Sequence, residues 1–216
     1  MPKLLIYGTG TIADVAEFYL RTDSPNEVVA FTNAGEFITE DRFLERPVVP
    51  FEEVDRSFPA ADYQLFVALG YKATNKIRQQ RFEEALAKGY ECVSYISSQA
   101  VVNAARIGRN CFIQEQNVVQ PFVAIGDNVT LWAGNHIGHH SEIHDHAFIS
   151  SHVVVSGHCV IEHNCFLGVN STLRDNIRLG AFSVIGAGAV VMKDTEERSL
   201  VRPAESNCRV IKRDVI

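Results

Sequence analysis

No apolar run in this 216-residue chain is long enough to cross a bilayer as a helix, which takes about twenty such residues. The N-terminal stretch MPKLLIYGTG lacks the n-region, h-region and small-residue cleavage site of a secretory signal. A cytoplasmic protein with no membrane partner is expected. Positive charge is also scarce: 20 Lys and Arg stand against 26 Asp and Glu, a formal net charge of −6. Nucleic-acid phosphates call for a basic face, so no nucleic-acid partner is expected. The five cysteines are odd in number and irregularly spaced, which excludes a disulfide framework. The apolar content is ample for one large or two small domains.

What the chain has instead is a beat of six. From Val101 it parses as VVNAAR, IGRNCF, IQEQNV, VQPFVA, IGDNVT, LWAGNH, IGHHSE, IHDHAF, ISSHVV, VSGHCV, IEHNCF, LGVNST, LRDNIR, LGAFSV, IGAGAV and VMKDTE. The first place is Val, Ile or Leu in all sixteen hexads, with no insertion. The second place favours Gly (Gly108, Gly126, Gly138, Gly168, Gly180, Gly186), as if a turn there needed conformational freedom. The fifth place is small or β-branched, which makes Cys111, Cys159 and Cys165 inward packing residues. This pattern predicts a parallel β-helix. Places five, six and one form a short strand pointing in, out and in, and places two to four turn a corner. Three hexads close a triangular coil, so residue i stacks on i+18. No coil buries its own interior, and the stack must form as a cooperative solenoid.

The first hundred residues follow another rhythm. KLLIYG, EVVAFT, DYQLFVALG and ECVSYI read as strands; IADVAEFYLR and TNKIRQQRFEEALAKG read as helices. Such alternation predicts a small Rossmann-like α/β domain with a parallel sheet. The expected organisation is residues 1–97 for this domain, 98–195 for the β-helix, and 196–216 for a tail. The chain after Val191 carries Lys193, Arg198, Arg202, Arg209, Lys212 and Arg213.

Two motifs could carry chemistry. GTGTIA, from Gly8 to Ala13, sits at a strand-to-helix turn where backbone N–H groups can approach a phosphate. Ala13 replaces the third glycine of the dinucleotide pattern, and no acidic residue follows EVVAFT to hold a ribose. A tight turn and a nucleoside-diphosphate site both remain open. The second motif is NHIGHHSEIHDH, with five of the eight histidines between Asn135 and His146. Hexad register places His136 on a flat face. It places His139 and His163 third, His140, His146, His152 and His158 fourth, and His144 second, all in corner turns. None points into the core. His140 should stack on His158, and Gly157 on His139, leaving open space before an imidazole that can take a proton near neutral pH. His139/His144 and His158/His163 share a five-residue spacing known from zinc-carrying hexad proteins. Asn103 and Phe122 upstream do not supply the third ligand, so no metal is expected.

The hexads, IGAGAVVMKD near their end, the following Val201-Arg202-Pro203-Ala204, and a GTG-type α/β domain together resemble the bacterial nucleotide-sugar acyltransferases. That group includes the amino-sugar N-acetyltransferases of bacillosamine and perosamine synthesis and the sialic acid O-acetyltransferases. The resemblance implies a left-handed β-helix, a homotrimer and acetyl-CoA as co-substrate. It implies N-acetylation of a nucleotide-linked amino-dideoxy sugar, with O-acetylation of sialic acid or a surface polysaccharide as the alternative. His139 matches the family's general base, and Gly157 its oxyanion contact. Acetyl-CoA would lie between subunits against Gly157, Gly186, Ala187 and Gly188, its phosphates near Lys193 and Arg202. The nucleotide sugar would sit at Gly8, Thr9 and Gly10, with Asn33 and Lys72. Relatives carry an acidic residue after the base and a second histidine further on. Here His140 and Phe148 stand there, leaving Glu142 or Asp145 to orient His139 and His152 as a substitute.

Overall fold

The computed structural model describes residues 1–204. The basic tail residues Arg209, Lys212 and Arg213 lie outside the described residues. The chain opens with β1 (Lys3–Tyr7), α1 (Thr11–Thr22), β2 (Glu27–Asn33), β3 (Arg42–Phe43) and β4 (Arg46–Pro50). It continues with α2 (Val54–Ser57), β5 (Gln64–Val67), α3 (Lys76–Ala87) and β6 (Glu91–Cys92). The sheet order is β3-β4-β2-β1-β5-β6, parallel except for the β3–β4 hairpin. β1 is apolar on both faces because helices or prism cover both sides, the habit of parallel sheets. The β3–β4 hairpin has no counterpart in the sequence reading. Pro47 and Pro50 disguise β4 as a loop. ECVSYI is not one strand: Glu91–Cys92 ends the sheet, whereas Tyr95–Ile96 is the first rung of the next structure.

That structure is a three-sided prism of two-residue strands. The first face runs from Tyr95–Ile96 to Leu200–Val201, the second from Val101–Val102 to Val190–Val191, and the third from Arg106–Ile107 to Arg178–Leu179. Phe112 pairs with Thr130, Thr130 with Phe148 and Phe148 with Phe166, the expected stride of eighteen. Places one and five fill the interior with Ile, Leu, Val, Ala and Cys at essentially zero exposure. The expected order of α/β domain then triangular β-helix is the one observed.

Three details differ from the six-residue reading. Val101 pairs with Val118 and Val102 with Val119, a stride of seventeen. The corner after Val102 is one residue short, so Val102 rather than Val101 takes the inward place. The stack also runs past both expected bounds, since Tyr95–Ile96 pairs at one end and Leu200–Val201 at the other. The third difference concerns the turns. From Asn110 to Gly188 the left-handed residue is the fourth of each hexad: Asn110, Asn128, His140, His146, His152, His158, Asn164, Asn170 and Asn176 all have φ between 52° and 64°. Asn and His tolerate that region better than most residues, so backbone conformation alone favours histidine at four of these corners. The second-place glycines serve close approach instead. A Cβ on Gly138 would stand 2.5 Å from the Ser156 carbonyl carbon.

The α/β domain covers the first face. Tyr71 packs on Phe148 and Phe166, and Tyr19 donates to Glu115 at 2.5 Å. Arg78 is fully buried and donates to Thr130 Oγ1, the His146 and Ala147 carbonyls, and Asn75 Oδ1. Burial pulls Arg78 down to about 9, and these acceptors offset the desolvation. Ala73, Thr74 and Asn75 precede α3 in three successive left-handed conformations. Such a turn is costly, and it is held by Asn75 Nδ2 donating to the Asn164 and Cys165 carbonyls. Among the described residues no helix is long and apolar enough to cross a membrane.

Candidate active site

The corners stack into three edges, and the sequence-predicted residues divide among them. His139, Gly157 and Lys193 lie at third places on the edge between the second and third faces. Gly186, Ala187, Gly188 and Arg202 lie on the edge between the first and second faces, as does His152. The two edges flank the second face. His152 therefore cannot stand in for a histidine beside His139 within one chain, and its ring packs over Gly134 instead.

His139 is exposed. Its backbone N–H donates to Gln120 Oε1 at 2.9 Å, and its Nδ1 lies 3.1 Å from Nδ1 of His140. A Cβ on Gly157 would come within 2.8 Å of His139 Cε1 and 2.9 Å of Nε2. The ring thus occupies the space that the glycine leaves, with its Nε2 edge toward Gly157. On the third-to-first edge, the N–H groups of Arg109 and Asp127 donate to Asp127 and Asp145 carboxylates one coil on. The equivalent N–H of Gly157 has no acceptor among the described residues.

His140, not Glu142 or Asp145, lies within hydrogen-bond reach of the His139 ring. Glu142 faces His144, and Asp145 accepts from the Asp127 N–H. The side chain that follows His139 was missed because it takes the fourth-place, left-handed conformation. His140 stacks on His158 with centroids 4.9 Å apart and planes 13° apart, the register expected of i+18. Phe122 packs below His140 at 4.6 Å. His146, expected in a corner turn and not in the core, is nonetheless largely enclosed. It is buried beneath α3 against Phe82, its Nδ1 is 3.0 Å from Asn128 Nδ2, and burial lowers its pKa. A cavity of about 380 Å³ beside it is lined by His144, His146, His163, Asp145, Gln79 and Arg106. Each of the three imidazoles there already has a partner: Glu162, Asn128 or Asn164.

Burial makes the cysteine thiols of the described residues poor nucleophiles. Burial pushes Cys111 up to about 11 and Cys92 and Cys165 to about 12, where no nucleophilic thiolate forms near neutral pH.

On the α/β domain, Gly8 has φ +125°, and its N–H donates to the Thr32 carbonyl at 2.8 Å. A Cβ there would stand 2.8 Å from the Ala68 carbonyl oxygen, so the glycine is required by the turn. Asn33 spends its amide inside that turn, donating to Thr9 Oγ1 and accepting from the Ala34 N–H. Gly10 caps α1 and faces open space. Beside it a cavity of about 510 Å³ is lined by Gly10, Thr11, Ile12, Gly70, Tyr71 and Lys72, among others. The helix N-terminus, its free N–H groups and Lys72 give this cavity a positive wall. Thr9 lines a second pocket of about 270 Å³, with Glu40 and Arg42.

Residues 104–137, 122–157 and 158–193 match the family model described as bacterial transferase hexapeptide (six repeats). No curated protein matches the sequence. Among solved structures, a histidine-to-asparagine variant of perosamine N-acetyltransferase from Caulobacter crescentus, in complex with CoA and GDP-perosamine, is similar at TM-score 0.82. It is 22% identical over 95% of this chain and 98% of that one. The acetyltransferase domain of PglB from Neisseria gonorrhoeae reaches TM-score 0.80, 23% identical over 94% and 100%. WeeI from Acinetobacter baumannii reaches 0.78, 17% identical over 94% and 99%. The fold is therefore that of a left-handed hexapeptide β-helix carrying an N-terminal α/β domain, and the resemblance drawn from the sequence holds for the architecture of the whole described chain.

Proposed function

We propose that this protein is an acetyltransferase that moves the acetyl group of acetyl-CoA onto the amine of a nucleotide-linked amino-dideoxy sugar. The observation that carries the reading is the pairing of His139 with Gly157: a ring edge held against a glycine whose N–H is free. The neutral amine attacks the thioester carbonyl, and His139 Nε2 takes the proton released from nitrogen as the C–N bond forms. The Gly157 N–H donates to the oxyanion. Collapse of the adduct breaks the C–S bond, and the imidazolium returns its proton to the sulfur so that CoA leaves as the thiol. His140, bonded to Nδ1, holds the ring and leaves Nε2 toward the substrate.

The substrate class follows from the cavity at Gly10. A diphosphate suits the N-terminus of α1 with Lys72 opposite, and the solved relative similar over the whole chain binds GDP-perosamine. That cavity adjoins the first face, whereas His139 stands on the edge opposite that face. The three faces also differ in their outward residues. The first is covered, the third carries Arg106, Glu142 and Arg178, and the second exposes Val118, Val154 and Val190. Packing second faces about a three-fold axis covers these valines. It brings the His139 edge of one subunit against the edge of the next that holds Gly186, Ala187, Gly188 and Arg202. Acetyl-CoA fits the groove between them, with Gly157 at the thioester and Lys193, two coils further on, toward the phosphates. No metal enters this chemistry.

Gly10→Trp tests the substrate assignment. Gly10 does not need a positive φ and a Cβ there meets nothing, so the indole can fill the cavity without strain, unlike any side chain at Gly8. The expected result, by calorimetry, is loss of nucleotide-sugar binding with acetyl-CoA affinity unchanged. Unaltered nucleotide-sugar binding would place the acceptor outside this cavity, whereas a wild type that binds no nucleotide sugar would favour O-acetylation of a sugar that carries no nucleotide.

A further inference from the structure

His139, His140 and His158 form a cluster that acetyl transfer does not use in full. One ring nitrogen from each lies within 4.8 Å of the other two, and all three residues are exposed. The cluster is built by the hexad rather than by chance rotamers. His140 and His158 occupy the same left-handed place in successive coils, both with φ +58°. Their rings form a nearly parallel wall, and Phe122 supports it from below. The His139 ring stands almost perpendicular to both, at 87° and 86°, with centroids 5.2 and 5.1 Å away. Two nitrogens bound to one tetrahedral ion at about 2.0–2.1 Å lie about 3.3 Å apart. The 3.1 Å between Nδ1 of His139 and Nδ1 of His140 is close to that separation. Small rotations of already positioned rings would complete a three-imidazole set with its remaining coordination open to water.

We propose that His139, His140 and His158 bind one divalent transition-metal ion of the zinc class, and that the bound ion shuts off acetyl transfer. Three neutral imidazoles select zinc, copper or nickel over calcium and magnesium, which prefer oxygen donors. The ion inhibits because a neutral imidazole bound through Nδ1 carries its proton on Nε2, the atom that must receive the amine proton beside Gly157. This differs from the zinc site considered from histidine spacing, which would have used His144 and His163. Those residues lie on another edge with their own partners. The inhibitory half of the inference rests on the proposed function; the binding half does not.

The test begins with chelator-treated full-length protein titrated with ZnCl2 by calorimetry, and with CoCl2 by visible absorption. One ion per chain is expected. His158→Ala should weaken zinc binding by more than the ~10–100-fold typical of losing a ligand's supporting partner, while His144→Ala leaves it unchanged. In chelator, His158→Ala should turn over as the wild type does, and zinc at a concentration that silences the wild type should leave the variant active. Absence of stoichiometric binding, or binding indifferent to His158→Ala, overturns the site. Stoichiometric binding with undiminished wild-type turnover overturns the inhibition. Absence of turnover in chelator counts against the acetyltransferase reading and leaves the calorimetric result standing.

Discussion

His139→Ala should lower kcat/KM for amine acetylation by about 10²–10⁴-fold, the usual worth of a positioned general base. The amine must lose a proton as it attacks, and the three heavy atoms nearest a Cβ on Gly157 all belong to the His139 ring. The fold should not suffer. His139 is exposed and lies outside the core, and its backbone N–H keeps the bond to Gln120 whatever the side chain. Stability within about 0.5 kcal/mol of wild type is therefore expected from thermal unfolding. Calorimetry should find the affinities for acetyl-CoA and nucleotide sugar nearly unchanged, so the loss falls in kcat. A variant with wild-type turnover would remove His139 from the chemistry and send the search to the other edges.

Gly157→Ala is the subtler substitution and should cost about a hundredfold in kcat. A single methyl would enter the space that His139 Cε1 and Nε2 now occupy, at 2.8 and 2.9 Å. The ring must swing away, and a misplacement of about 1 Å at a catalytic group costs on the order of 10²-fold in rate. Folding should proceed normally, because Gly157 has no positive φ and the displaced atoms belong to an exposed side chain. Gly138, at the second place of its hexad, behaves differently. Its Cβ would press on Ser156 and Gly157 backbone at 2.5 and 2.6 Å, which have nowhere to go. Steady-state kinetics beside a thermal melt separates the two situations. Full activity in Gly157→Ala would mean that the glycine only eases the stacking of coils.

The β-helix was legible because its physics is periodic. A residue facing the interior every six positions admits only small or branched apolar side chains, and that restriction is visible along the chain without coordinates. The same periodicity correctly stacked His140 on His158 and Gly157 beside His139. It failed where the beat breaks. The short corner after Val102 and the coil that ends at Leu200–Val201 change the stride by one or two residues, and no local residue type announces this. The role of glycine was misread for a related reason. Composition shows that Gly favours the second place but not whether φ or close approach demands it. The coordinates show that the left-handed place is the fourth, where Asn and His supply most of the residues.

The site was legible only in part. His139 could be singled out by its register, whereas its partner His140 depends on a side-chain direction that spacing does not encode. The burial of His146 follows from α3 lying across the third-to-first edge, a domain contact held by Arg78 and Asn75. No feature of TNKIRQQRFEEALAKG states which surface that helix will cover.

The measurement that bears most directly on the whole account is release of free CoA thiol from acetyl-CoA by the full-length protein, run against UDP-, GDP- and dTDP-linked amino sugars. Each amino sugar is paired with the same nucleotide sugar bearing a hydroxyl in place of the amine. The account predicts thiol release with at least one amino sugar, a product heavier by one acetyl group on nitrogen, and no release with its hydroxyl counterpart. Release with the hydroxyl sugar alone, or with none while the protein is folded and free of metal, would contradict it.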